Sequence, residues 1–366
     1  MIRLSEPFFD SREAKAVARV LKSRYIISGP KTREFEKKFS SFIGTRFALG
    51  TDSCTSALHL SLEARGVKGS EVITTPMTFV STAHAIIFAG AKPVFADVEP
   101  GTLNLSPSAV EEKISPRTKA ILLVHYRGHC CEMNEFKKIA KRNGIPLVED
   151  CAHATGAEFR GKKAGSFGAA SCFSFRGGKN ISAGDAGAIC FSRASLKPAL
   201  ERLRFLGVER EKDFLSYNVK QLGFKAQMND IDASICLEQL KKLKFMNKRR
   251  AEIARQYDEA FSSLGWLEPL EQRKHVKSSN YCYTLKVLNG KRDALSEFLR
   301  SKEIESTVYY KPLPLFSFYK KFPHANLPVA MREWKRILSL PLHPALSAAE
   351  VSRVINAVKL FGKKFH

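Results

Sequence analysis

The chain has 366 residues, and its 60 Lys and Arg against 36 Asp and Glu leave a formal net charge of +24. Hydrophobic residues make up 44% of the chain, which excludes a disordered protein, because disordered chains lack the apolar surface that offsets ordering entropy. The length predicts two or three domains, or one large α/β domain with a smaller one. The charge alone decides little about a nucleic-acid partner, since such a partner needs a localised basic patch and Lys and Arg are spread along most of the chain.

Between residues 45 and 192, short β-rich runs alternate with segments of helical spacing, which predicts a largely parallel sheet covered on both faces. The β-rich runs are residues 47–51, 71–74, 93–98, 119–125, 145–150, 170–175 and 186–191. The helical segments include residues 55–64, 82–89 and 133–141. Ligands of such sheets bind at the carboxyl ends of the strands, so residues that follow the strands are candidates for a site.

One uncharged stretch, residues 72–91, is long enough to span a bilayer. It contains several Thr and Ser residues, and Pro76 would break a helix near its start. We therefore expect a buried strand, a loop and a core helix here. Glu6 and Asp10 precede any apolar segment, so we expect no signal peptide and a cytoplasmic protein without a membrane span.

Residues 229–261 predict one long helix with a cluster of Lys and Arg, which is usually a solvated face. A different organisation follows it, with strand-like residues 281–287, a helix near residues 293–300, strand-like residues 306–310 and a closing helix from Ser347. We expect a large domain over residues 1–244 and a smaller C-terminal α+β domain over residues 245–366.

The eight cysteines include no CxxC pair, and no His stands in zinc-ligand spacing. Several lie in apolar runs, such as Cys172 between Ser171 and Phe173. We expect reduced, buried thiols in a cytosolic protein rather than disulfides or metal ligands.

The first segment with chemical potential is residues 50–58, where a strand end is followed by small polar residues and a helix. Free backbone N–H groups and hydroxyls at a helix N-terminus suit a phosphate. The alternative is an ordinary Ser or Thr cap of the helix.

Two further segments follow predicted strands. Residues 147–154 place Asp150 at the end of an apolar strand and His153 three residues later, although such a pair is often only a structural hydrogen bond. Residues 173–187 place Lys179 in a glycine-rich loop. A desolvated Lys there has a lowered pKa and attacks aldehydes, forming a Schiff base.

Together the three segments offer a phosphate cradle, an acid for a protonated ring nitrogen and an amine for an aldehyde. These are the requirements of pyridoxal 5′-phosphate (PLP), which acts as an electron sink when its ring nitrogen is protonated. The sequence therefore predicts a PLP enzyme.

The ordered set of motifs resembles the DegT/DnrJ/EryC1/StrS family of nucleotide-sugar aminotransferases. The matching segments include SGP at 28–30, PMTFV at 76–80, EDCAHA at 149–154 and LSLPLH at 338–343. The resemblance implies the PLP-dependent transferase fold of type I, an α/β fold. Its large domain has a mostly parallel mixed sheet covered by helices, and its smaller C-terminal domain is α+β.

The resemblance also implies residue roles. Lys179 would bind PLP covalently and then move a proton between the substrate carbon and the cofactor. Asp150 would keep the ring nitrogen protonated, His153 would lie near the phenolic oxygen, and Phe79 would stack on the ring. Three hydroxyl side chains would hold the phosphate: Thr55, Ser56 and Ser174.

The family builds its site at a dimer interface, where a segment matching residues 223–228 reaches the neighbouring subunit's cofactor phosphate. Gln227 stands at a position where Asn or Arg is common. The resemblance therefore implies a homodimer with shared active sites, and Gln227 as a cofactor contact across the interface.

Several positions depart from the family pattern, and we expect them to face the sugar or its supports. Asp185 is followed by Ala where Glu-Gly is usual, and Pro314 stands where His is frequent. Arg127 and the Cys130-Cys131 pair replace residues that are more often aromatic and Pro-Ala. Lys179, where some members carry His, favours transamination over dehydration.

These observations predict an enzyme that transfers an amino group from L-glutamate, yielding 2-oxoglutarate, to a nucleotide-linked keto sugar in amino-sugar or surface-polysaccharide biosynthesis. Amination of a keto-cyclitol or dehydration of a deoxysugar are alternatives with the same cofactor. From another class, the charge allows a protein that binds anionic polymers or membrane surfaces. We expect no metal and no nucleic-acid partner, while weak association with anionic surfaces is compatible with sugar chemistry. Part of the charge would steer anionic ligands to the site.

Overall fold

The computed structural model describes residues 1–210, 216–322 and 326–365. The helices are α1 (Ser11–Ser23), α2 (Pro30–Ile43), α3 (Cys54–Glu63), α4 (Val80–Phe88), α5 (Pro107–Glu111), α6 (Met133–Asn143), α7 (Lys197–Arg204), α8 (Asp230–Phe261), α9 (Arg292–Ser301), α10 (Pro328–Glu333) and α11 (Ala348–Phe365). The strands are β1 (Phe47–Thr51), β2 (Glu71–Thr74), β3 (Lys92–Phe95), β4 (Thr118–Val124), β5 (Leu147–Asp150), β6 (Glu158–Phe159), β7 (Lys162–Lys163), β8 (Ala170–Ser174), β9 (Gly187–Phe191), β10 (Val208–Arg210), β11 (Tyr217–Val219), β12 (Leu267–Pro269), β13 (Val276–Lys277), β14 (Tyr283–Val287) and β15 (Ile337–Leu340).

Within the described residues, the largest sheet has seven strands in the order β1-β9-β8-β5-β4-β2-β3. The pairs among β3, β2, β4, β5 and β8 are parallel, whereas β9 runs antiparallel to both of its neighbours. The parallel strands therefore bring their carboxyl ends to one edge, which is where such sheets bind ligands.

Helices cover both faces of this sheet. Alternate residues of β4 point to opposite faces, so Ile121 packs in one core with α2, α6 and α8, and Leu122 packs in another with α3, α4 and α7. Burial on both faces explains why the central strands are continuous apolar runs. The predicted α/β sheet is confirmed.

A third core is formed by α9, α11, the sheet β12-β14-β15 and the C-terminal half of α8. The N-terminal residue Ile2 also joins it, pairing with Ile304. Helix α8 is continuous across residue 244 and contributes side chains to this core and to a core of the large sheet. The division into residues 1–244 and 245–366 stays a prediction.

The sequence-predicted elements between residues 45 and 192 match observed strands and helices within a few residues. Residues 72–91 form β2, a loop and α4, as expected, and no helix among the described residues is long and apolar enough to cross a membrane. All eight cysteines are buried and free. The predicted strand at residues 306–310 is wrong: only Thr307 pairs, in a single bridge with Ser339, and the chain then turns towards Pro312.

Candidate active site

A pocket of about 290 Å³ opens at the carboxyl edge of the large sheet. The ends of β4, β5 and β8 reach it, together with the first turns of α3 and α4. The structure brings together six sequence-predicted residues in its lining: Thr55, Phe79, Asp150, His153, Ser174 and Lys179.

Lys179 lies in the loop that joins β8 to β9. The loop closes like a hairpin, because Gly177 donates its backbone N–H to Gly184 and Phe175 donates to Ala186. Gly178 has a φ of 88°, a left-handed conformation that favours glycine. The glycine-rich sequence therefore serves to turn the chain tightly beside the lysine.

Burial lowers the pKa of the Lys179 amine to about 8, against the opposing effect of the Asp150 carboxylate. The amine also lies 4.2 Å from the centre of the Tyr281 ring, a cation–π contact that favours the charged form. Burial is the stronger influence, because the pKa still falls below its ordinary value. A sizeable fraction of Lys179 is thus a neutral nucleophile near pH 8.

Asp150 ends β5 at the bottom of the pocket and is 3% exposed. Its carboxylate accepts hydrogen bonds from the Thr82 hydroxyl at 2.8 Å and from the Ala152 backbone N–H at 3.0 Å. Burial raises the pKa of Asp150 above its ordinary value, and these two donors partly oppose that rise. The carboxylate is held in one orientation in a setting of low dielectric, where it interacts strongly with a cation.

His153 stacks on Tyr281 with ring centres 4.2 Å apart, and its Nε2 lies 3.1 Å from the Tyr310 hydroxyl. Its other ring nitrogen, Nδ1, is buried and has no hydrogen-bond partner among the described residues. Burial and the nearby Lys179 charge lower the pKa of His153 well below its ordinary value. The ring is therefore neutral, with one nitrogen available to a ligand.

The start of α3 has an ordinary Ser cap and also lines the pocket. Ser53 caps the helix by accepting the backbone N–H of Ser56, and the two hydroxyls lie 3.0 Å apart. Ser53 and Thr55 line the pocket and Ser56 does not, and the phosphate contacts of Thr55 and Ser56 stay predictions. Gly187 permits this arrangement, because a Cβ there would lie 2.5 Å from the Ser53 backbone.

Sequence reasoning missed an aromatic wall of the pocket. Tyr281, Tyr309 and Tyr310 line it, and Thr78, Ser81, Thr82 and Arg176 add to the polar lining. The three tyrosines lie far along the chain from the lysine loop and in no glycine-rich or acidic motif. Only the packing of residues 281–310 against the large sheet reveals them.

The departures from the family pattern lie in different surroundings. Asp185 lines the pocket, as expected for a position that faces a ligand. Cys130 and Cys131 instead belong to the buried core with α2 and α6 and do not line the pocket, so that of the two expected roles only a supporting one fits them. Arg127 is buried and donates to the backbone oxygen of Glu271, in a support rather than the lining.

A buried group behind the pocket contains His125, Glu149 and Cys151, residue types that can bind metals. The Glu149 carboxylate already accepts the backbone N–H groups of Gly165, Phe167 and Gly168 as well as His125 Nε2. These four donors satisfy it. Glu149 therefore anchors the loop before β8 next to Asp150.

Gln227 does not line the pocket of its own chain. Its segment runs antiparallel to the end of β1, where Gln227 bridges Thr51 and Asp52 donates to the backbone oxygen of Ala226. Exposed apolar side chains lie nearby on and beside the paired strands β10 and β11: Leu206, Tyr217, Val219 and Leu222.

Comparison with known proteins gives consistent matches. The model of the DegT/DnrJ/EryC1/StrS aminotransferase family matches residues 7–359. The spore coat polysaccharide biosynthesis protein SpsC of Bacillus subtilis is 36% identical over 371 residues, which cover 97% of this chain and 95% of SpsC.

Solved structures agree with this match. PseC of Helicobacter pylori, an aminotransferase involved in the biosynthesis of pseudoaminic acid, superimposes with a TM-score of 0.95 and 32% identity over 100% of both chains. Spr1654 of Streptococcus pneumoniae, solved in a form with pyridoxamine phosphate (PMP), has a TM-score of 0.95 and 28% identity over 100% of both chains. A second form of Spr1654 contains PLP.

Proposed function

The chain belongs to the DegT/DnrJ/EryC1/StrS aminotransferase family, and from this membership we propose that it transfers an amino group from L-glutamate to a nucleotide-linked keto sugar. It has the fold of the PLP-dependent aminotransferases and is a PLP-dependent sugar aminotransferase. The names of SpsC and PseC support a place in polysaccharide or amino-sugar biosynthesis. Glutamate and the nucleotide are the parts of the proposal that need a direct test.

The observation that carries the proposal is that Lys179, Asp150 and His153 line one pocket, which the start of α3 also lines. The residues fit PLP in chemical type: a buried amine, a buried carboxylate, a neutral imidazole with a free nitrogen, and a helix start, where the first backbone N–H groups lack intrahelical partners. Bound PLP would supply the electron sink that stabilises charge on the substrate carbon.

Lys179 would hold the cofactor and carry the proton. With a pKa of about 8, its amine exchanges a proton near neutral pH, as a general acid–base group should. Asp185 and Arg176 line the same pocket and supply charges for the substrate side.

Asp150 and His153 would bind two different polar atoms of the cofactor ring. The fixed Asp150 carboxylate would hold the ring nitrogen proton, and its orientation depends on Thr82. His153, held by Tyr310 through Nε2, would direct Nδ1 to the phenolic oxygen. Phe79, which is 59% exposed, would cover the ring face.

We extend the proposal to a homodimer. The exposed apolar side chains around strands β10 and β11, among them Leu222 at 84% exposure, are typical of a surface that another subunit covers. The adjoining segment with Gln227 would then reach the partner's cofactor phosphate, which explains why Gln227 lies outside the pocket of its own chain.

Trapping the cofactor tests the role of Lys179 directly. Protein loaded with PLP and reduced with borohydride should carry the cofactor mass on the peptide that contains Lys179. The Lys179→Ala variant should carry none, whereas Lys359→Ala, which removes an exposed lysine of α11 outside the pocket, should label like the original chain. Label on another lysine, or no label, would remove the proposal.

A further inference from the structure

A second cavity, of about 530 Å³, lies beside α8, and none of its described lining residues lines the active-site pocket. Its volume is within the range of small-molecule sites. We propose that this cavity binds a nucleoside diphosphate at a site separate from the active site.

Positive charge on two facing walls indicates an anionic ligand. Lys244 and Lys248 stand on α8, while Lys163 and Lys277 come from the β6–β7 hairpin and β13. Glu158 is the one carboxylate among the described lining residues. A diphosphate between the walls could be contacted from both sides.

The two walls differ in how closely carboxylates approach their lysines. Glu158 lies 2.5 Å from the Lys163 amine and 3.6 Å from the Lys277 amine. On α8, Lys248 is 3.9 Å from Glu252, and Lys244 has no carboxylate within 4.0 Å among the described residues. Lys244 and Lys248 are one helical turn apart, so their like charges repel each other. An anion beside them would relieve this repulsion.

The rest of the lining suits the nucleoside. Half-buried Phe42 and exposed Ala251 offer apolar surface for the flat face of a base, and the Lys163 amine lies 5.0 Å from the centre of the Phe42 ring. The Ser278 hydroxyl accepts the backbone N–H of Asn280 and keeps its own proton for a ligand oxygen. A site that recognised only inorganic phosphate would not need this apolar surface.

One lining residue connects the cavity to the active site. Asn247 accepts a hydrogen bond from Asn180, the neighbour of Lys179, at 2.8 Å and donates to the Thr155 backbone oxygen at 3.0 Å. Only the Asn247 side chain would therefore lie between a ligand that contacts it and Asn180 of the Lys179 loop.

The test counts bound nucleotide on the full chain loaded with PLP. Equilibrium dialysis with ADP, GDP, CDP, UDP and dTDP, and with pyrophosphate, gives the number of sites per chain. The Lys244→Glu/Lys248→Glu variant should lose one nucleotide site per chain and keep its cofactor absorption. Lys277→Glu, from the other wall, should weaken the same site by at least tenfold. Raising the salt concentration should weaken it as well.

Lys359→Glu/Lys363→Glu is the matched control, since these exposed residues stand one turn apart on α11 and the change in charge is the same. It should bind as much nucleotide as the original chain. Equal site numbers in the α8 variant and the original chain, or an equal loss in the control, would overturn the proposal, as would pyrophosphate binding as tightly as every nucleotide. Because the test compares site numbers, it gives its answer whether or not the active site accepts a nucleotide.

Discussion

The hydroxyl of Tyr310 lies 3.1 Å from Nε2 of His153. Their rings are nearly parallel, with an interplanar angle of 9°. This contact leaves Nδ1 as the nitrogen of His153 that a ligand can use. Tyr310 is therefore a positioning residue in the proposed site.

Tyr310→Phe should weaken PLP binding about tenfold, or ~1.4 kcal/mol, because His153 loses the contact that fixes its ring. The free energy of unfolding of the apo-protein should fall by about 1 to 2 kcal/mol, since a buried nitrogen loses its partner. Equilibrium dialysis and urea unfolding measure the two effects. In the control Tyr319→Phe, which removes a hydroxyl that donates to Val80, stability should fall without a loss of PLP affinity. Equal PLP affinity in both variants would show that Tyr310 has only a structural role.

The pKa of Lys179 should govern the rate at which the apo-protein captures PLP. Because the neutral amine is the nucleophile, the rate should rise with pH through about 8. Tyr281→Leu removes the cation–π contact that favours the charged amine. The midpoint should then move down by about 0.5 to 1 pH unit. Tyr281→Phe keeps a ring and should stay near the original midpoint; a rise in the leucine variant would contradict this account.

Asp150→Asn should abolish amino transfer and yet stabilise the apo-protein at neutral pH. Burial raises the pKa of Asp150 in the folded chain, so the folded state binds its proton more tightly than the unfolded state does. Stability therefore falls as pH rises from below 3.8 through the folded pKa. An Asn side chain can keep the contacts with Thr82 and Ala152 without the charge.

We expect Asp150→Asn to gain about 1 kcal/mol at pH 7.5, an ordinary size for one substitution, and to lose the gain below pH 4. Urea unfolding across pH measures this. Asp150→Ala is the comparison, because it removes the charge and both hydrogen bonds. A variant with Asn that is less stable than the original chain at pH 7.5 would refute the assignment of a destabilising charge.

Mixing two inactive variants tests the shared site. Lys179→Ala removes the amine, and Gln227→Glu places a carboxylate where the partner's cofactor phosphate is proposed to lie. After unfolding and refolding together, half of the dimers should be mixed, and each mixed dimer should contain one intact site. Activity should therefore recover to about a quarter of the original value. No recovery, in dimers confirmed by sedimentation, would argue that Gln227 acts within its own chain.

The sequence predicted the parts of the fold and site that depend on local patterns. The β5 run of apolar residues ending in Asp150 fixes both the strand and the position of the acid at the sheet edge. The glycines around Lys179 likewise predict a tight loop at a strand end. These signals are local because strand period and turn conformation are set by neighbouring residues.

The parts of the fold and site that the sequence did not predict depend on contacts between segments far apart in the chain. Tyr310 meets His153 across 157 positions of sequence, and nothing in residues 306–310 distinguishes a strand from a pocket wall. Ser53 and Ser56 are a second example: the sequence offers both hydroxyls at the helix start, and only the folded structure shows that they lie 3.0 Å apart. The burial of Cys130 and Cys131 in the core depends on which face of the sheet the chain covers after β4.

The most direct test of the central claim is a single half-reaction. Protein loaded with PMP is mixed with nucleotide-linked keto sugars, and the absorbance of the cofactor and the product mass are followed. We predict conversion of PMP to PLP and a product in which an amine replaces the keto oxygen, with L-glutamate restoring PMP. Conversion with free keto-cyclitols only, loss of water from the sugar, or no conversion across the panel would contradict the account.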